Sequence, residues 1–294
     1  MKDIKTAVSY NPFKIFKRIL GRINKRIAKK NINHNHQLVI FSFDHIGLSI
    51  NLDGRYENSE LELLEQFIIK KMPNSHKETA IDIGANIGNH SIFLSNFFKK
   101  VYAFEPNPIT FDVLSINSKY KNLAQNIYPL NIGLSDENTQ LPFVINPNNI
   151  GGSKIMSKND KLKIKDKTNV NVKKADELEI LENEKISLIK IDVEGHEINA
   201  LKGAEKIIKS NKPVILFEQE ADEIFNYSSE VIEFLKKYDY NFYTFHERFY
   251  FGERFIHKLL SLVLSSLLGE KLSFKETNKF SKRFYGMILA IKKT

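Results

Sequence analysis

From residue 79 onward, the chain alternates between two patterns of apolar residues. Short apolar runs such as AIDI, SLIKI and VILF are typical of buried parallel strands. Between these runs, apolar residues recur at helical spacing. Strands that alternate with helices favour right-handed βαβ crossovers and a parallel sheet covered on both faces. The pattern therefore predicts a doubly wound α/β domain.

The elements of this region can be bounded from the same patterns. The predicted strands span residues 79–83, 101–104, 127–132, 141–145, 171–174, 186–191, 214–217, 241–245 and 285–291. The predicted helices span residues 88–98, 108–120, 197–209 and 229–237. Pro108 lies in the first turn of the second helix, and Asn107 is its expected N-cap.

The segments before and between these elements are less regular. Residues 37–43 and 47–52 are predicted as two strands around a turn. Ser59 and Glu62 have the spacing of a capping box, which predicts a helix through about residue 71. Residues 146–169 are polar and rich in Gly, Asn and Lys, which is typical of a mobile loop.

Two further segments carry strong apolar patterns. Residues 13–27 place apolar side chains at helical spacing, and the opposite side carries Lys14, Lys17, Arg18, Arg22, Lys25 and Arg26. Such a helix can lie on an anionic membrane, or it can be a solvated arm that packs on its own domain or a partner. Residues 255–268 hold nine large apolar residues in fourteen. They favour a helix that packs on the domain, forms a dimer contact or faces a membrane.

Composition and charge narrow the classes of protein and partner. The 294-residue chain is 42% hydrophobic and contains no Cys, so it can bury a sizeable core but cannot form disulfides or thiolate metal sites. The net charge of +9 lies in residues 1–30, and the remaining body is neutral, which argues against a nucleic-acid partner. Neither a secretory signal nor a run of roughly 18 apolar residues is visible, and we expect a cytoplasmic protein.

The segment 82-DIGANIG-88 lies where a predicted strand ends and a helix begins. In doubly wound folds, ligands bind at that edge of the sheet. Gly84 allows a tight turn, and Gly88 allows the helix to pack close to the strand. Asp82 fits poorly beside a pyrophosphate but well beside an ammonium group. The segment therefore predicts a ligand with an amine and a nucleoside, rather than a nicotinamide dinucleotide.

Acidic residues follow three further strands of the predicted sheet. Glu105 comes 21 residues after Gly84, at the spacing where an acid hydrogen-bonds ribose hydroxyls. The acids that follow the two later strands are Asp192, Glu194, Glu218 and Glu220. We expect all of them at one edge of the sheet, without a compensating lysine in their motifs.

The chain resembles the FkbM family of S-adenosylmethionine-dependent methyltransferases in the order and spacing of six motifs: IDIGANIGNHSIF, AFEPNP, NIGLSD, IGGSK, LIKIDVEGHE and LFEQE. The resemblance covers about residues 45–245 and the last strand. It implies a class I methyltransferase (Rossmann-like) α/β fold, with a seven-stranded, mostly parallel doubly wound sheet whose last strand is antiparallel. It also implies methyl transfer to a hydroxyl of a sugar or polyketide-type molecule, often in surface-polysaccharide pathways.

The resemblance implies a place for the cofactor S-adenosylmethionine. Its methionine end would lie near residues of the first turn, which are Asp82, Gly84, Ala85, Asn86 and Gly88. Glu105 would bind the ribose, with Asn107 nearby. The turn that holds Gly133, Leu134 and Ser135 would border the adenine, or it is an ordinary turn after a strand.

The acceptor side is expected to combine a general base with polar contacts. The candidates for the base, which a sugar hydroxyl needs, are Asp192, Glu194 and His196, and the two acids are favoured. His196 could equally be a polar residue of the first helical turn. Gly152 and Ser153 would line the substrate side or form a flexible turn, and Glu218 and Glu220 would contact acceptor hydroxyls. As an alternative, Asp192, Glu194 and Glu218 would hold Mg²⁺ or Ca²⁺.

The sequence predicts two parts, a basic amphipathic segment at 1–36 and a methyltransferase domain at 37–294. The core of the domain spans 79–245 plus the last strand at 285–291, with a helical insertion at about 246–284. The expected partner is a sugar or glycan acceptor; the alternatives are a lipid-linked or natural-product hydroxyl, or a non-catalytic cofactor-binding scaffold at the membrane. A homodimer, and a peripheral contact of 13–28 and 255–268 with the inner face of the membrane, are further options.

Overall fold

Two sheets and eight α-helices organise the part of the chain that this computed structural model describes, which is residues 12–31, 38–42, 44–119, 125–146, 149–156, 167–247, 256, 260, 263–264 and 272–293. The strands are β1 (Thr79–Ile83), β2 (Lys100–Phe104), β3 (Ile127–Leu130), β4 (Gly133–Leu134), β5 (Thr139–Val144), β6 (Lys154–Ile155), β7 (Lys167–Lys173), β8 (Ile186–Ile191), β9 (Val214–Gln219), β10 (Tyr240–Glu247), β11 (Leu272–Glu276) and β12 (Tyr285–Lys292). The helices are α1 (Pro12–Asn31), α2 (His45–Asp53), α3 (Asn58–Lys71), α4 (Asn89–Ser95), α5 (Pro108–Lys119), α6 (Glu197–Gly203), α7 (Glu205–Asn211) and α8 (Glu230–Lys236).

The larger sheet has eight strands in the order β11-β10-β12-β9-β8-β1-β2-β3. The five strands from β9 to β3 pair in parallel, as the alternation of strands and helices predicts. The last strand, β12, lies between β9 and β10 and pairs antiparallel with both. The predicted α/β architecture, mostly parallel with an antiparallel last strand, is therefore confirmed.

The predicted number of seven strands is wrong, because β11 adds an eighth at the edge of the sheet. This strand lies in the region predicted as a helical insertion, and it pairs antiparallel with β10. Phe274 explains the pairing, since its ring packs 4.9 Å from Phe245 and 5.8 Å from Phe67, between centroids. Almost all of the apolar helix predicted at 255–268 lies outside the described residues.

The core lies on both faces of the larger sheet, because alternate residues of a strand point to opposite sides. In β1, Ile81 and Ile83 join one apolar cluster, whereas Ala80 joins the cluster on the other face. In β8, Ile189 and Ile191 join the same cluster as Ile81 and Ile83. Leu188 joins the cluster that contains Ala80. Asp82 and Lys190 occupy equivalent positions in paired strands, so both point to the face of the second cluster.

The two strands predicted at 37–43 and 47–52 are wrong. Residues 45–53 form α2, and the described residues of 38–42 form no strand. The buried residues of α2, Gly47 and Ile50, are three positions apart, which is helical spacing. Gly54 ends α2 in the left-handed conformation, with φ 87°, and donates its N–H to the Ile50 carbonyl.

The helix predicted to begin with a capping box is present, but the box is not. α3 begins at Asn58 and ends at Lys71, close to the predicted limits. Its N-cap is Glu57, which has no side-chain capping bond. The Glu62 carboxylate instead accepts a hydrogen bond from the Asn58 side-chain amide, at 3.0 Å. The side chains of the first turn therefore pair with each other rather than with free backbone N–H groups.

The helix predicted at 197–209 is divided into α6 and α7 at Gly203 and Ala204. A Cβ atom on Gly203 would lie 1.9 Å from the Ser135 carbonyl oxygen, so the glycine allows the end of α6 to touch the segment after β4. This contact matters for function, because the segment after β4 also carries predicted site residues.

The smaller sheet has four strands in the order β4-β7-β5-β6. Its core contains Phe143, Val170 and Val172, which are buried. The short strand predicted at 171–174 is longer than expected, since β7 begins at Lys167. Within the predicted loop at 146–169, the described residues include a 3-10 turn at Ile150–Gly152 and strand β6.

The predicted basic amphipathic helix near the N-terminus is confirmed as α1. Among the described residues, no helix is long and apolar enough to cross a membrane.

The close contact at Gly203 gives a test of the fold. We expect Gly203→Ala to lower the free energy of unfolding by about 1–3 kcal/mol, because the added methyl group meets a backbone oxygen that cannot rotate away. The measurement is urea denaturation. Gly21→Ala is the matched control, since Gly21 has no atom within 4 Å of the added Cβ and lies within α1. Equal stability of both variants would contradict the packing described here.

Candidate active site

A cavity opens at the carboxyl edge of the larger sheet. It encloses about 920 Å³, including space open to solvent. Residues that follow β1, β2, β8 and β9 form its floor, as expected for a doubly wound sheet. The smaller sheet, the turn at Ile150–Gly152 and the start of α2 form its remaining walls. One cavity therefore brings together most of the residues predicted as a site.

The glycine-rich turn after β1 is shaped by contacts within the protein. Gly84 has a φ of 75°, and a Cβ atom on it would lie 1.8 Å from the Asp192 carbonyl oxygen. Gly88 has a φ of 94°, and its Cβ would lie 2.9 Å from a methyl group of Leu114. The predicted tight turn is confirmed, but the close approach at Gly84 is that of the backbone after β8.

Glu105 forms the cavity floor at the end of β2. Its two carboxylate oxygens accept backbone hydrogen bonds from Asn107 at 2.8 Å and from Asn86 at 2.9 Å. Burial raises the pKa of Glu105 to about 7, although both hydrogen bonds act in the opposite direction. Each carboxylate oxygen has a second lone pair, so Glu105 can still accept hydrogen bonds from a ligand.

Two buried polar groups beside Glu105 lack a hydrogen-bond partner among the described residues. They are the Asn107 side-chain nitrogen and the Thr110 hydroxyl, on residues that are 1% and 2% exposed and that line the cavity. Asn107 also caps α5 as predicted, because its side-chain oxygen accepts from the Ile109 N–H at 3.1 Å. Buried groups of this kind normally have a partner. Together with Glu105, they fit a polar ligand such as the nucleoside of the implied cofactor.

Lys190 corrects the expectation that no lysine compensates the acids. Its ammonium group lies 3.4 Å from Asp82 Oδ1 and 3.2 Å from Asp192 Oδ2, and it donates to the Gly84 carbonyl at 3.2 Å. Burial would lower the pKa of Lys190, but the two carboxylates outweigh it and raise the pKa above its ordinary value. Lys190 therefore stays charged and joins the ends of β1 and β8.

The same ion pairs hold the two aspartates in different positions. Asp82 is fully buried, and it accepts a hydrogen bond from Ser91 at 2.6 Å, so it lies beneath the cavity wall. Asp192 keeps 32% of its side chain exposed and lines the cavity. Burial acts to raise the pKa of Asp192, but Lys190 holds it below its ordinary value. Asp192 is therefore ionised at neutral pH.

Asp192 and three glutamates form an acidic cluster at the cavity, which we call the acidic wall. Carboxylate oxygens of Glu194, Glu218 and Glu220 lie within 4.8 Å of one another. Burial, with the charges of Asp192 and Glu220, raises the pKa of Glu194 to about 7. Burial and a hydrogen bond with Asp192 also raise the pKa of Glu218. Three such carboxylates are hard oxygen ligands of the type that divalent cations accept, although this set differs from the predicted one by exchanging Asp192 for Glu220.

His196 lines the cavity next to Ser135, which follows β4. Its ring Nε2 is 2.9 Å from the Ser135 hydroxyl. Burial lowers the pKa of His196, so the ring is neutral at neutral pH. His196 thereby links the loop after β8 to the predicted adenine-side turn.

The structure brings twelve predicted site residues to the cavity wall: Gly84, Asn86, Glu105, Asn107, Gly133, Leu134, Gly152, Ser153, Asp192, Glu194, His196 and Glu218. Among the described residues, the wall does not include the predicted residues Asp82, Ala85, Gly88, Ser135 and Glu220. Ser135 and Glu220 each contact a residue that does line it. Asp82 is linked to the wall through Lys190, which also pairs with Asp192.

Sequence reasoning missed part of the wall, namely His45, Ile46, Tyr56, Thr110 and Lys154. Thr110 follows Asn107 by three residues at the start of a helix, and that spacing could have placed both on one face. Tyr56 had no local signal. Its backbone N–H donates to the Asn89 side chain at 3.0 Å, and its carbonyl accepts from the same side chain at 3.1 Å. This long-range contact holds Tyr56 beside the cavity, as does the contact of its ring with His45, at 5.8 Å between centroids.

Comparison with known proteins adds a family match. A family model described as the methyltransferase FkbM domain matches residues 82–242, which is more than half of the chain. A protein of Haloferax volcanii described as the hexuronic acid methyltransferase AglP is 35% identical over 155 residues. That match covers 52% of this chain and 61% of the relative, so less than two thirds of the relative's length is spanned.

Two further proteins described as methyltransferases also match. The methyltransferase sdnD of Sordaria araneosa is 29% identical over 189 residues, covering 51% of this chain and 72% of that protein. A solved structure of a methyltransferase FkbM from Methylobacillus flagellatus is 16% identical and covers 91% of this chain and 58% of the other, with a TM-score of 0.43. The score corresponds to a partial superposition only.

The buried position of Lys190 gives a test of the site. We expect Lys190→Met to lower the free energy of unfolding by about 3–5 kcal/mol, because Asp82 would be left buried without its cation and Asp192 would lose its ion pair. Urea denaturation measures the change. Lys209→Met is the matched control, because Lys209 forms an exposed ion pair with Glu205 one helical turn away and should change stability little. A Lys190→Met variant as stable as this control would contradict the proposed role of the ion pairs.

Proposed function

The chain belongs to the FkbM methyltransferase family, and on that premise we propose that it transfers a methyl group from S-adenosylmethionine to a hydroxyl of a sugar or glycan. One observation carries the proposal. A single cavity joins Glu105 and two unpartnered buried polar groups to an ionised Asp192 and a glutamate with a pKa of about 7. The first set suits a nucleoside, and the second suits proton removal from a hydroxyl.

The residues at the end of β2 are proposed to hold the nucleoside of the cofactor. Glu105 offers two carboxylate oxygens for ribose hydroxyls, and Asn107 and Thr110 offer a donor and a hydroxyl beside them. Asn86 and Gly84 form the adjoining turn at the end of β1, on the path toward Asp192. When bound, the cofactor supplies an electrophilic methyl group on a sulfonium.

Glu194 is proposed as the general base. A base works best when its pKa is near the working pH, and Glu194 has a pKa of about 7. Its φ of 54° and the glycine that follows, at φ 94°, hold the side chain in a left-handed turn beside the cavity. Because Asp192 is committed to Lys190, its pKa is lowered, and it is the weaker base.

Asp192 and Glu218 are proposed to orient the acceptor. The raised pKa of Glu218 keeps it protonated, and its hydroxyl donates to Asp192, which leaves oxygen lone pairs on both groups free to accept from a ligand. A sugar presents both donors and acceptors, and such a pair can hold two of its hydroxyls. His196, neutral and bonded to Ser135, is proposed to complete the wall between cofactor and acceptor.

A sugar acceptor is also supported by the relative described as a hexuronic acid methyltransferase. A lipid-linked or natural-product hydroxyl is the second candidate within the same chemistry. A cofactor-binding scaffold without catalysis is the third, and the intact acidic wall argues against it. We propose that the methyltransferase domain spans residues 37–294 and works in the cytoplasm or on the inner face of the membrane.

The cofactor site can be tested by isothermal calorimetry with S-adenosylhomocysteine. We expect Glu105→Ala to abolish binding, because the two hydrogen-bonded carboxylate oxygens are lost. The exposed Glu137→Ala is the matched control and should bind like the original chain. Since the pKa of Glu105 is about 7, the carboxyl is mostly protonated below that pH and loses its accepting charge. Affinity should therefore fall as the pH is lowered through 7; an affinity that rises instead would contradict this role.

The base can be tested by kinetics with sugar acceptors. We expect Glu194→Gln to lower kcat by about 10²- to 10⁴-fold while the affinity for S-adenosylhomocysteine is kept. In the original chain, activity should rise with pH through about 7 as Glu194 loses its proton. Glu220→Gln removes a charge that raises the pKa of Glu194, so it should move this profile to lower pH. The exposed Glu179→Gln is the neutral control. Full activity of Glu194→Gln would exclude it as the base.

A further inference from the structure

Helix α1 presents an apolar face that the described part of the protein does not cover. This apolar stripe consists of Phe13, Phe16, Ile19, Leu20, Ile23 and Ile27, which recur at helical spacing. Every residue of the stripe remains between 39% and 62% exposed. A continuous row of large exposed side chains marks an interaction surface, whereas single exposed apolar residues are ordinary.

The rest of the same helix is strongly basic. α1 contains eight cations, Lys14, Lys17, Arg18, Arg22, Lys25, Arg26, Lys29 and Lys30, and no acid. The remainder of the chain beyond residue 30 carries no net charge, so the positive potential is concentrated on this helix. A surface that binds both the apolar stripe and the cations of α1 must offer an apolar interior and a dense layer of negative charge.

We propose that α1 docks on the surface of an anionic lipid bilayer, with the apolar stripe at the acyl boundary and its cations among the lipid phosphates. A helix of 20 residues is about 30 Å long and can lie flat in the headgroup region. A second copy of the chain is a poorer occupant, because pairing of two stripes would bring two sets of eight cations together. Nucleic acid would leave the stripe uncovered.

The position of α1 gives the docking a consequence for the site. α1 packs against α2, and the first residues of α2, His45 and Ile46, line the cavity. A docked α1 is therefore in contact with an element of the cavity wall. This consequence rests on the proposed function, and it favours an acceptor that is carried on a membrane lipid over one that is free in solution.

Vesicle co-sedimentation of the full chain tests the docking without cofactor or acceptor, so its outcome is independent of the proposed chemistry. We expect the chain to sediment with vesicles of phosphatidylcholine and phosphatidylglycerol, and to sediment much less with phosphatidylcholine alone. Adding salt should release it, because exposed charges are screened. Sedimentation that is equal for the two vesicle types, or absent for both, would overturn the proposal.

Matched variants separate the contribution of the apolar stripe to vesicle binding from the contribution of the cations. Ile19→Glu with Ile23→Glu should weaken binding by at least roughly tenfold, whereas Ile69→Glu on α3, which is 62% exposed, should not. Arg18→Glu with Arg22→Glu should do the same, whereas Lys70→Glu with Lys71→Glu should not. Light scattering of the Ile19→Glu, Ile23→Glu variant checks the other occupant. A dimer that this variant converts to a monomer, with vesicle binding unchanged, would assign the stripe to a second copy and overturn the proposal.

Discussion

The buried ammonium group of Lys190 is the interaction on which the site depends. It lies between Asp82 at the end of β1 and Asp192 just after β8, so it ties together the two central strands whose loops form the cavity floor. Gly84 allows the same approach from the backbone side, since only a residue without a side chain fits against the Asp192 carbonyl. Charge pairing and close backbone contact thus set the spacing between the proposed cofactor and acceptor sides.

This arrangement also gives neighbouring carboxylates different pKa values. Asp192 is held ionised by Lys190, whereas Glu194, two residues away, has a pKa of about 7 because it is partly buried beside other negative charges. Glu218 is driven further toward its protonated form by the hydrogen bond with Asp192. Groups of one chemical type can therefore accept, donate and remove a proton within one wall, which is a common consequence of unequal environments.

The two halves of the cavity are built from different kinds of structure. The proposed cofactor half comes from strand ends and the first turns of helices, and the family match covers this region. The proposed acceptor half is closed by α2, Tyr56 and the turn at Ile150–Gly152, which lie between or before the core elements. α1 contacts α2, which belongs to that second half.

Elements with local signals could be predicted from the amino-acid pattern alone. Buried strands such as β1 and β8 have the predicted limits, because a short apolar run and its flanking turn specify them. Glu105 and the Asn107 cap were also readable from spacing. Three features are visible only in the folded structure: residues 45–53 form a helix, Asp82 faces Lys190 beneath the cavity wall, and Asn89 holds Tyr56 beside the cavity. The last two join residues far apart in the chain, and periodicity carries no information about such contacts.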